Sequence, residues 1–412
     1  MRIFSFIFFF SVIFVFLFLG TRYIWRRLVR DTEIQGRTRT VLTIAIIGSS
    51  VLLPIVMVIA RFYPRGPLQF LHVPVYTWMG AMFYLILCLG IWDISRLAIR
   101  YTKRLRDRFQ STDQTTSKTT PDPEQNTEHS PEDMSRRLFL ARASAGIAVA
   151  GTGSAVFIGR ANVSGEITTP EVEVVLERLP KAMDGFRIVQ LTDVHIGPIL
   201  DQKFLRGLVE KTNAMKPDLV VITGDLVDGT PRIIGKEVAE LGKLNSRYGS
   251  FFVTGNHEYY SGVDEWVSFL DQLGIRTLMN ERVQIGDKNT FFDLVGIPDT
   301  DAGRYSPSHE PNIPLALKDR DPEREAVLLA HRPEPIHKAA KAQIGLQISG
   351  HTHGGQMWPA NLIAELVHPY STGLHHHNLQ TQIYVSRGAG FWGPPMRIAA
   401  PAELPSIILT SS

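Results

Sequence analysis

Cysteine is nearly missing from this sequence: Cys88 is the single one in 412 residues. No disulfide can form within the chain, so the fold cannot depend on one, and thiolates cannot build a metal site. Internal repeats are missing as well. Neither charge sign dominates: 43 Lys and Arg meet 40 Asp and Glu, a net charge of +3. The basic residues gather beside apolar runs, so a nucleic-acid partner is not expected. What the sequence does have is length beyond one ordinary domain, and long apolar runs confined to its first part.

Three runs, at residues 3–19, 41–60 and 73–92, approach the roughly 20 residues that cross a bilayer. They predict an all-α transmembrane region over residues 1–98. The first run lacks a small-residue cleavage site and leads into Arg22, Arg26 and Arg27; it reads as an anchor rather than a cleaved signal. The loop after it carries six arginines, Arg22 to Arg39. The stretch after the third run carries Arg96, Arg100, Lys103, Arg104, Arg106 and Arg108, while the loop after the second has only Arg61 and Arg65. The positive-inside rule puts the two basic loops in the cytoplasm and the N-terminus outside. The runs hold almost no interior charge, which disfavours conduction or transport as the main function.

Residues 99–140 read as a cytoplasmic linker. Its Ser/Thr/Gln/Pro/Glu-rich part, 111–133, predicts disorder. Ser135-Arg136-Arg137-Leu138-Phe139-Leu140 resembles the twin-arginine export signal, and a mildly apolar, Ala- and Gly-rich run follows at 141–160. That run is either such a signal, retained as an anchor, or a fourth transmembrane helix. Both send residues 161–412 across the membrane. The predicted setting is a bacterial inner (plasma) membrane with this last part on the periplasmic or extracellular side.

From Glu171 the pattern changes to apolar strands alternating with amphipathic helices. Strands are predicted at 172–176, 186–191, 219–223, 251–254, 291–296, 326–329, 346–349, 383–386 and 406–409. Helices are predicted at 202–215, 235–244 and 264–273. Strand then helix, repeated, is α/β with layered sheets. About 230 residues are ample for a core of their own.

Five of these strands end in hard or imidazole ligands: Asp193-Val194-His195, Gly224-Asp225 with Asp228, Gly255-Asn256-His257-Glu258, His331, and Gly350-His351-Thr352-His353. Chemistry in α/β sheets sits at such strand ends. In an extended segment the two side chains of Asp-x-His share one face, because side chains alternate. Carboxylate, imidazole and amide oxygen without thiolate suit Mn, Fe or Zn. Two ions about 3.5–4 Å apart need a shared carboxylate, for which Asp225 is the candidate.

Together, and in this order, these motifs resemble the motif set of the calcineurin-like metallophosphoesterase superfamily, over about residues 171–412. Gly354-Gly355-Gln356, the membrane anchor and the twin-arginine-like segment are most similar to a bacterial membrane-associated phosphodiesterase branch. The resemblance implies a four-layer αββα sandwich with two divalent metal ions. Asp193, His195, Asp225 and His353 would bind one ion; Asp225, Asn256, His331 and His351 would bind the other. It also implies hydrolysis by a metal-bridging hydroxide attacking phosphorus in line. His257 would protonate the leaving oxygen, and Asp228 would orient it.

Other residues carry weaker signals. Arg387 and Arg397 flank Gly388-Ala389-Gly390 and are candidates for clamping a substrate phosphate. His375-His376-His377 reads as a surface turn, with an extra metal as the alternative. Tyr259 and Tyr260 follow His257 as substrate contacts or packing. Trp358, Phe391 and Trp392 are candidates for an apolar lip suited to a lipid-linked substrate. The expected function is a membrane-anchored phosphodiesterase acting on a lipid or envelope phosphodiester. The alternatives are a UDP-linked acylated sugar pyrophosphatase and a non-catalytic metal-bound binding module.

Overall fold

A computed structural model describes residues 2–112, 131–287 and 290–412. The chain forms two compact units, residues 1–55 with 75–157, and residues 56–74 with 158–412.

The first unit is helical. Its chain runs through helices Arg2–Trp25, Gly36–Phe62, His72–Thr112 and Pro131–Ser164. Among the described residues, three helical stretches, Gly36–Phe62, Gln69–Asp107 and Met134–Ser164, are long and apolar enough to cross a membrane. Ile24, Val29, Ile46, Met82 and Leu85 pack together as a small core. Both ends of the expected linker are helical. Residues 99–112 continue the third helix, and 131–140 open the last. Lys, Arg and Leu in these stretches are good helix formers, and their charges need no buried partner on an exposed helix. Residues 113–130, the centre of the expected linker, lie outside the described residues.

The second unit carries two sheets. Their strands are β1 (Glu171–Leu176), β2 (Phe186–Leu191), β3 (Leu219–Thr223), β4 (Ser250–Val253), β5 (Ile275–Thr277), β6 (Glu281–Asp287), β7 (Thr290–Gly296), β8 (Ala326–Leu329), β9 (Leu346–Ser349), β10 (Gly373–His376), β11 (Gln382–Val385) and β12 (Ser406–Ser411). One six-stranded sheet has the order β1-β12-β2-β3-β4-β5, the other β10-β11-β9-β8-β7-β6. β2, β3 and β4 run parallel, as do β7, β8 and β9.

The central strands are apolar on both faces, as parallel strands covered on both sides must be. Alternate residues of β3 show why. Val220 and Ile222 pack with Leu205, Leu208, Ile234 and Trp266 from helices Gln202–Ala214, Pro231–Val238 and Val263–Gln272. Leu219 and Val221 point the other way, to Leu294, Val327, Leu346 and Ile348 of the second sheet. The second sheet's outer face, with Val295, Leu328 and Ile383, is covered by Ile313, Ile336 and Ala339. The layers are therefore helix, sheet, sheet, helix.

Four segments differ from the sequence reading. The helix expected at 235–244 starts at Pro231 and tightens into a 3-10 turn at Ala239–Lys243. β5 is short. β6 is only partly buried, so its apolar alternation is weak. His375 and His376 lie in β10, paired with β11, and not in a surface turn.

Candidate metal centre

The strands β2, β3 and β4 of one sheet, and β8 and β9 of the other, deliver their C-terminal ends to one place. Asp193 and His195 follow β2, Asp225 and Asp228 follow β3, and Asn256 and His257 follow β4. His331 follows β8; His351 and His353 follow β9.

The backbone there is not extended. Asp193 (φ 52°), His195 (φ 50°), Asp225 (φ 51°), His351 (φ 72°) and His353 (φ 50°) are all left-handed. Period-two alternation is thus not what brings Asp193 and His195 together. Each strand stops, and a left-handed residue turns the side chain inward. Such conformations in non-glycine residues cost of order 1–3 kcal/mol each and gather at functional sites. Gly224 (φ 84°) makes the close approach possible: a Cβ there would lie 2.7 Å from His331 Nδ1 and from the Gly255 Cα.

Among the described residues three groups of possible ligand atoms form, and two of them hold the expected metal ligands. In the first, His353 Nε2 lies 3.3 Å from Asp193 Oδ1 and 3.1 Å from His195 Nε2. In the second, His331 Nε2 lies 3.2 Å from Asp225 Oδ2 and 3.1 Å from His351 Nδ1. Within each group, one ligand atom per residue falls within 4.8 Å of the others. Asp225 Oδ2 is also 4.0 Å from His195 Nε2, which puts this carboxylate between the groups.

The surrounding bonds hold these atoms in place. His331 Nδ1 donates to the Thr223 carbonyl at 2.8 Å, leaving Nε2 to face Asp225. The His351 amide donates to Asp193 at 3.0 Å, and Thr192 Oγ1 donates to the same carboxylate at 2.8 Å. Glu258, whose role the sequence did not suggest, is buried and ties two loops together. It accepts from the amides of Gly255 (2.7 Å), Leu226 (2.8 Å) and Asp225 (3.0 Å).

The residues fit divalent metal. Asn256 Oδ1 is buried and has no partner among the described residues, which costs free energy unless a cation or water meets it. Pairs of imidazole nitrogens converge at distances where at most one can carry a proton. Burial, then His195 and Arg397, hold His353 well below the usual histidine range; burial, then His331 and Arg332, bring His351 to about 2. A metal ligand must be neutral in this way. Burial opposes charge on His331 too, but the adjoining Asp225 pushes it up to about 10, so the pocket favours positive charge at that point.

Beside these groups lies a His–Asp pair. His257 Nδ1 meets Asp228 Oδ1 at 2.5 Å, and Asp228 Oδ2 lies 3.3 Å from His195 Nδ1. Burial lowers His257, but Asp225 and Asp228 outweigh it and push the imidazole up to about 9. Burial would raise Asp228, yet His195 and His257 hold it well below the usual carboxylate range. Both shifts favour an imidazolium on a carboxylate next to the ligands.

Of the remaining candidates, Arg397 does not offer itself to a phosphate. It is 1% exposed, and its donors go to the carbonyls of Arg387, Gly388, Gly390 and Ala400. It braces the loop beneath His353, with Nη2 3.3 Å from His353 Nδ1. Arg387 is paired with Glu403 through both Nε (2.8 Å) and Nη2. Phe391 is 6% exposed and belongs to the core, so it forms no lip. The Trp392 ring does approach the His257 ring, at 6.1 Å, and is 56% exposed; Trp358 is 49% exposed. Tyr260 sits 5.3 Å from His257, whereas the Tyr259 hydroxyl turns to Thr254 and His309. His375 Nε2 bonds the Thr372 carbonyl, and His377 Nδ1 bonds Tyr370.

Comparison with known proteins agrees with this architecture. The sequence profile of the calcineurin-like phosphoesterase family matches residues 186–355. An uncharacterized metallophosphoesterase of Campylobacter jejuni is 36% identical over 60% of this chain and 66% of its own length. A transmembrane protein with metallophosphoesterase domain from Bos taurus is 36% identical over 68% of this chain and 65% of its own. The chain thus spans just under two thirds of the length of these relatives. An uncharacterized metallophosphoesterase of Aquifex aeolicus is 34% identical over 55% of this chain and 86% of its own length. With helices long and apolar enough to cross a membrane and with ligand groups at its strand ends, the chain belongs to the calcineurin-like metallophosphoesterase family.

Proposed function

We propose that the protein is a phosphodiesterase that hydrolyses a lipid-borne or envelope phosphodiester on the outer side of a bacterial inner membrane. The observation that carries the reading is the His257–Asp228 pair beside two buried ligand groups. A phosphodiester expels an alkoxide, a poor leaving group that benefits from a positioned proton. Asp228 holds His257 protonated and fixes which nitrogen points inward.

Asp193, His195 and His353 would hold one ion, and Asp225, Asn256, His331 and His351 a second, with Asp225 between them. Mn, Fe or Zn suit this donor set. Divalent cations held here would supply Lewis-acid charge to the phosphate oxygens and to the attacking water. The protein's own part is to hold the ligands on left-handed turns, to keep His351 and His353 neutral, and to give the His257 proton to the departing oxygen. The arginines nearest the site are already engaged, Arg332 by Asp299, Arg387 by Glu403 and Arg397 by carbonyls. That favours a singly charged diester over a doubly charged monoester. The exposed Trp392 beside His257 favours a substrate with apolar groups near the phosphate.

The outward placement rests on the positive-inside reading and on the twin-arginine-like segment, read here as export information retained in the helix Pro131–Ser164. It also has internal support. The connector 56–74 belongs to the catalytic unit. Arg65 donates to the carbonyls of Gly197 (3.0 Å) and Pro198 (3.1 Å), just past His195.

The test uses the full chain in detergent, stripped of metal and then given Mn, Zn, Fe or Mg. Bis-p-nitrophenyl phosphate, p-nitrophenyl phosphate and a UDP-linked acylated sugar are compared as substrates. The expected result is metal-dependent turnover, faster on the diester and lost in Asp225→Asn. Metal-loaded protein that turns over none of them would favour a binding module. Preference for the sugar pyrophosphate would overturn the diester assignment.

A further inference from the structure

The helical unit contains a cationic cavity that the phosphoesterase reaction does not use. It has a volume of ≈ 630 Å³ and is lined by Arg26, Arg27, Arg30, Arg96, Arg100 and Arg137, with Asp31, Glu33 and Asp93 as its carboxylates. Six arginines facing three carboxylates leave a surplus of positive charge.

The carboxylates are largely taken up inside the cluster. Asp31 meets Arg30 at 3.2 Å, Arg27 at 3.5 Å and Arg26 at 3.6 Å. Asp93 meets Arg27 at 3.1 Å and accepts from the Tyr23 hydroxyl at 2.8 Å. Glu33 lies 4.0 Å from Arg137. Arg27 is 8% exposed, and its Nε is buried with no hydrogen-bond partner among the described residues. Arg96 and Arg100 line the cavity with no carboxylate partner among those residues. The wall is shaped by a π-helical turn, Arg26–Arg30, at the end of helix Arg2–Trp25. Such widened turns recur at functional positions.

The sequence fixes the depth of the cavity. Arg26 and Arg30 follow the first apolar run, Arg96 and Arg100 follow the third, and Arg137 precedes the fourth. All stand at the basic ends of membrane-spanning segments, where lipid phosphates are concentrated. Guanidinium groups bind phosphate through paired hydrogen bonds, and basic pockets between transmembrane helices accept anionic headgroups. We propose that this cavity binds a phosphate group, supplied by the headgroup of an anionic phospholipid or by free phosphate, with Arg96 and Arg100 as the open contacts and Arg27 behind them.

Native mass spectrometry of the full chain, delipidated in mild detergent, tests this. The probes are phosphatidylglycerol, cardiolipin, phosphatidylcholine and inorganic phosphate. Two double variants are compared. Arg96→Gln with Arg100→Gln removes the open contacts, and Arg104→Gln with Arg106→Gln removes equal charge further along the same helix. The expected result is selective retention of the anionic lipids, weakened on the order of tenfold or more by the first double variant and unchanged by the second. Displacement of retained lipid by millimolar inorganic phosphate, or phosphate adducts in its place, assigns the site to the free anion. Equal retention of phosphatidylglycerol and phosphatidylcholine would overturn the site. So would equal losses in both double variants, which is the result of surface charge alone. None of these readings requires turnover.

Discussion

His257 is the residue on which the proposed reaction turns most sharply. Replacing it with Gln removes the proton donor but leaves every expected metal ligand in place. The expected outcome is a loss of kcat of about 10²–10⁴ on an alkyl diester, with bound metal unchanged by elemental analysis. Asp228→Asn acts through that histidine. The carboxylates raise His257 to about 9, so a rate that needs the imidazolium persists below that pH and falls as pH rises through it. With Asp228 neutralised the imidazole is easier to deprotonate, and the alkaline limb of the kcat profile moves to lower pH. A limb that stays in place would remove Asp228 from this role. That Asp193, His195, Asp225 and His353 come together was legible from residue type taken jointly: one carboxylate at a strand end is usually a turn residue, but five such ends in order are not. Their left-handed backbone was not, since nothing in Asp-x-His announces a positive φ. Nor was the difference between Arg387 and Arg397, because only packing decides whether a guanidinium faces substrate or carbonyl oxygens.

At the scale of elements, the strands that carry the site were the most legible. β2, β3, β8 and β9 are apolar runs buried on both faces, and their composition leaves few alternatives. β5, β6 and β10 were not, because edge and near-edge strands expose polar residues and lose the apolar signature. The helical ends at 99–112 and 131–140 were hidden by their charge. The strand-end turns also set a demand on Gly224. A Cβ there would press on Gly255 and His331, and φ 84° disfavours any L side chain. Gly224→Ala should therefore retain the far-UV circular dichroism of the parent yet bind about one metal equivalent fewer, since His331 must shift. Metal content equal to the parent would show that the loop absorbs the methyl group without moving the ligand. Glu258→Gln probes the same junction differently. It keeps the volume but gives one acceptor oxygen to three buried amides, and a destabilisation of about 1–3 kcal/mol is expected in thermal unfolding.

At the scale of the whole molecule, the connector 56–74 constrains topology without reference to charge. It joins helices Gly36–Phe62 and His72–Thr112, and it packs on the loop that follows His195 through Arg65 and through His72 Nδ1, 3.3 Å from the Pro198 carbonyl. If the flanking helices cross a membrane, connector and catalytic unit share one side of it. If helices Gly36–Phe62 and His72–Thr112 both cross, the chain leaves that side after the connector and can return only if helix Pro131–Ser164 crosses too. An ordinary fourth span and a retained export signal both satisfy this; a cytoplasmic catalytic unit joined to an outward connector does neither. The single cysteine makes the argument measurable. In a Cys88→Ser background, Tyr63→Cys reports on the connector, Asp287→Cys on the catalytic unit and Lys103→Cys on the third helix beyond its apolar run; all three positions are exposed. A membrane-impermeant maleimide applied to intact cells, with the outer membrane opened where one is present, should label positions 63 and 287, and label 103 only after the inner membrane is permeabilised. Labelling of 103 alone would invert the orientation while keeping 63 and 287 together. Labelling that separates 63 from 287 would break the contact on which the parity argument stands.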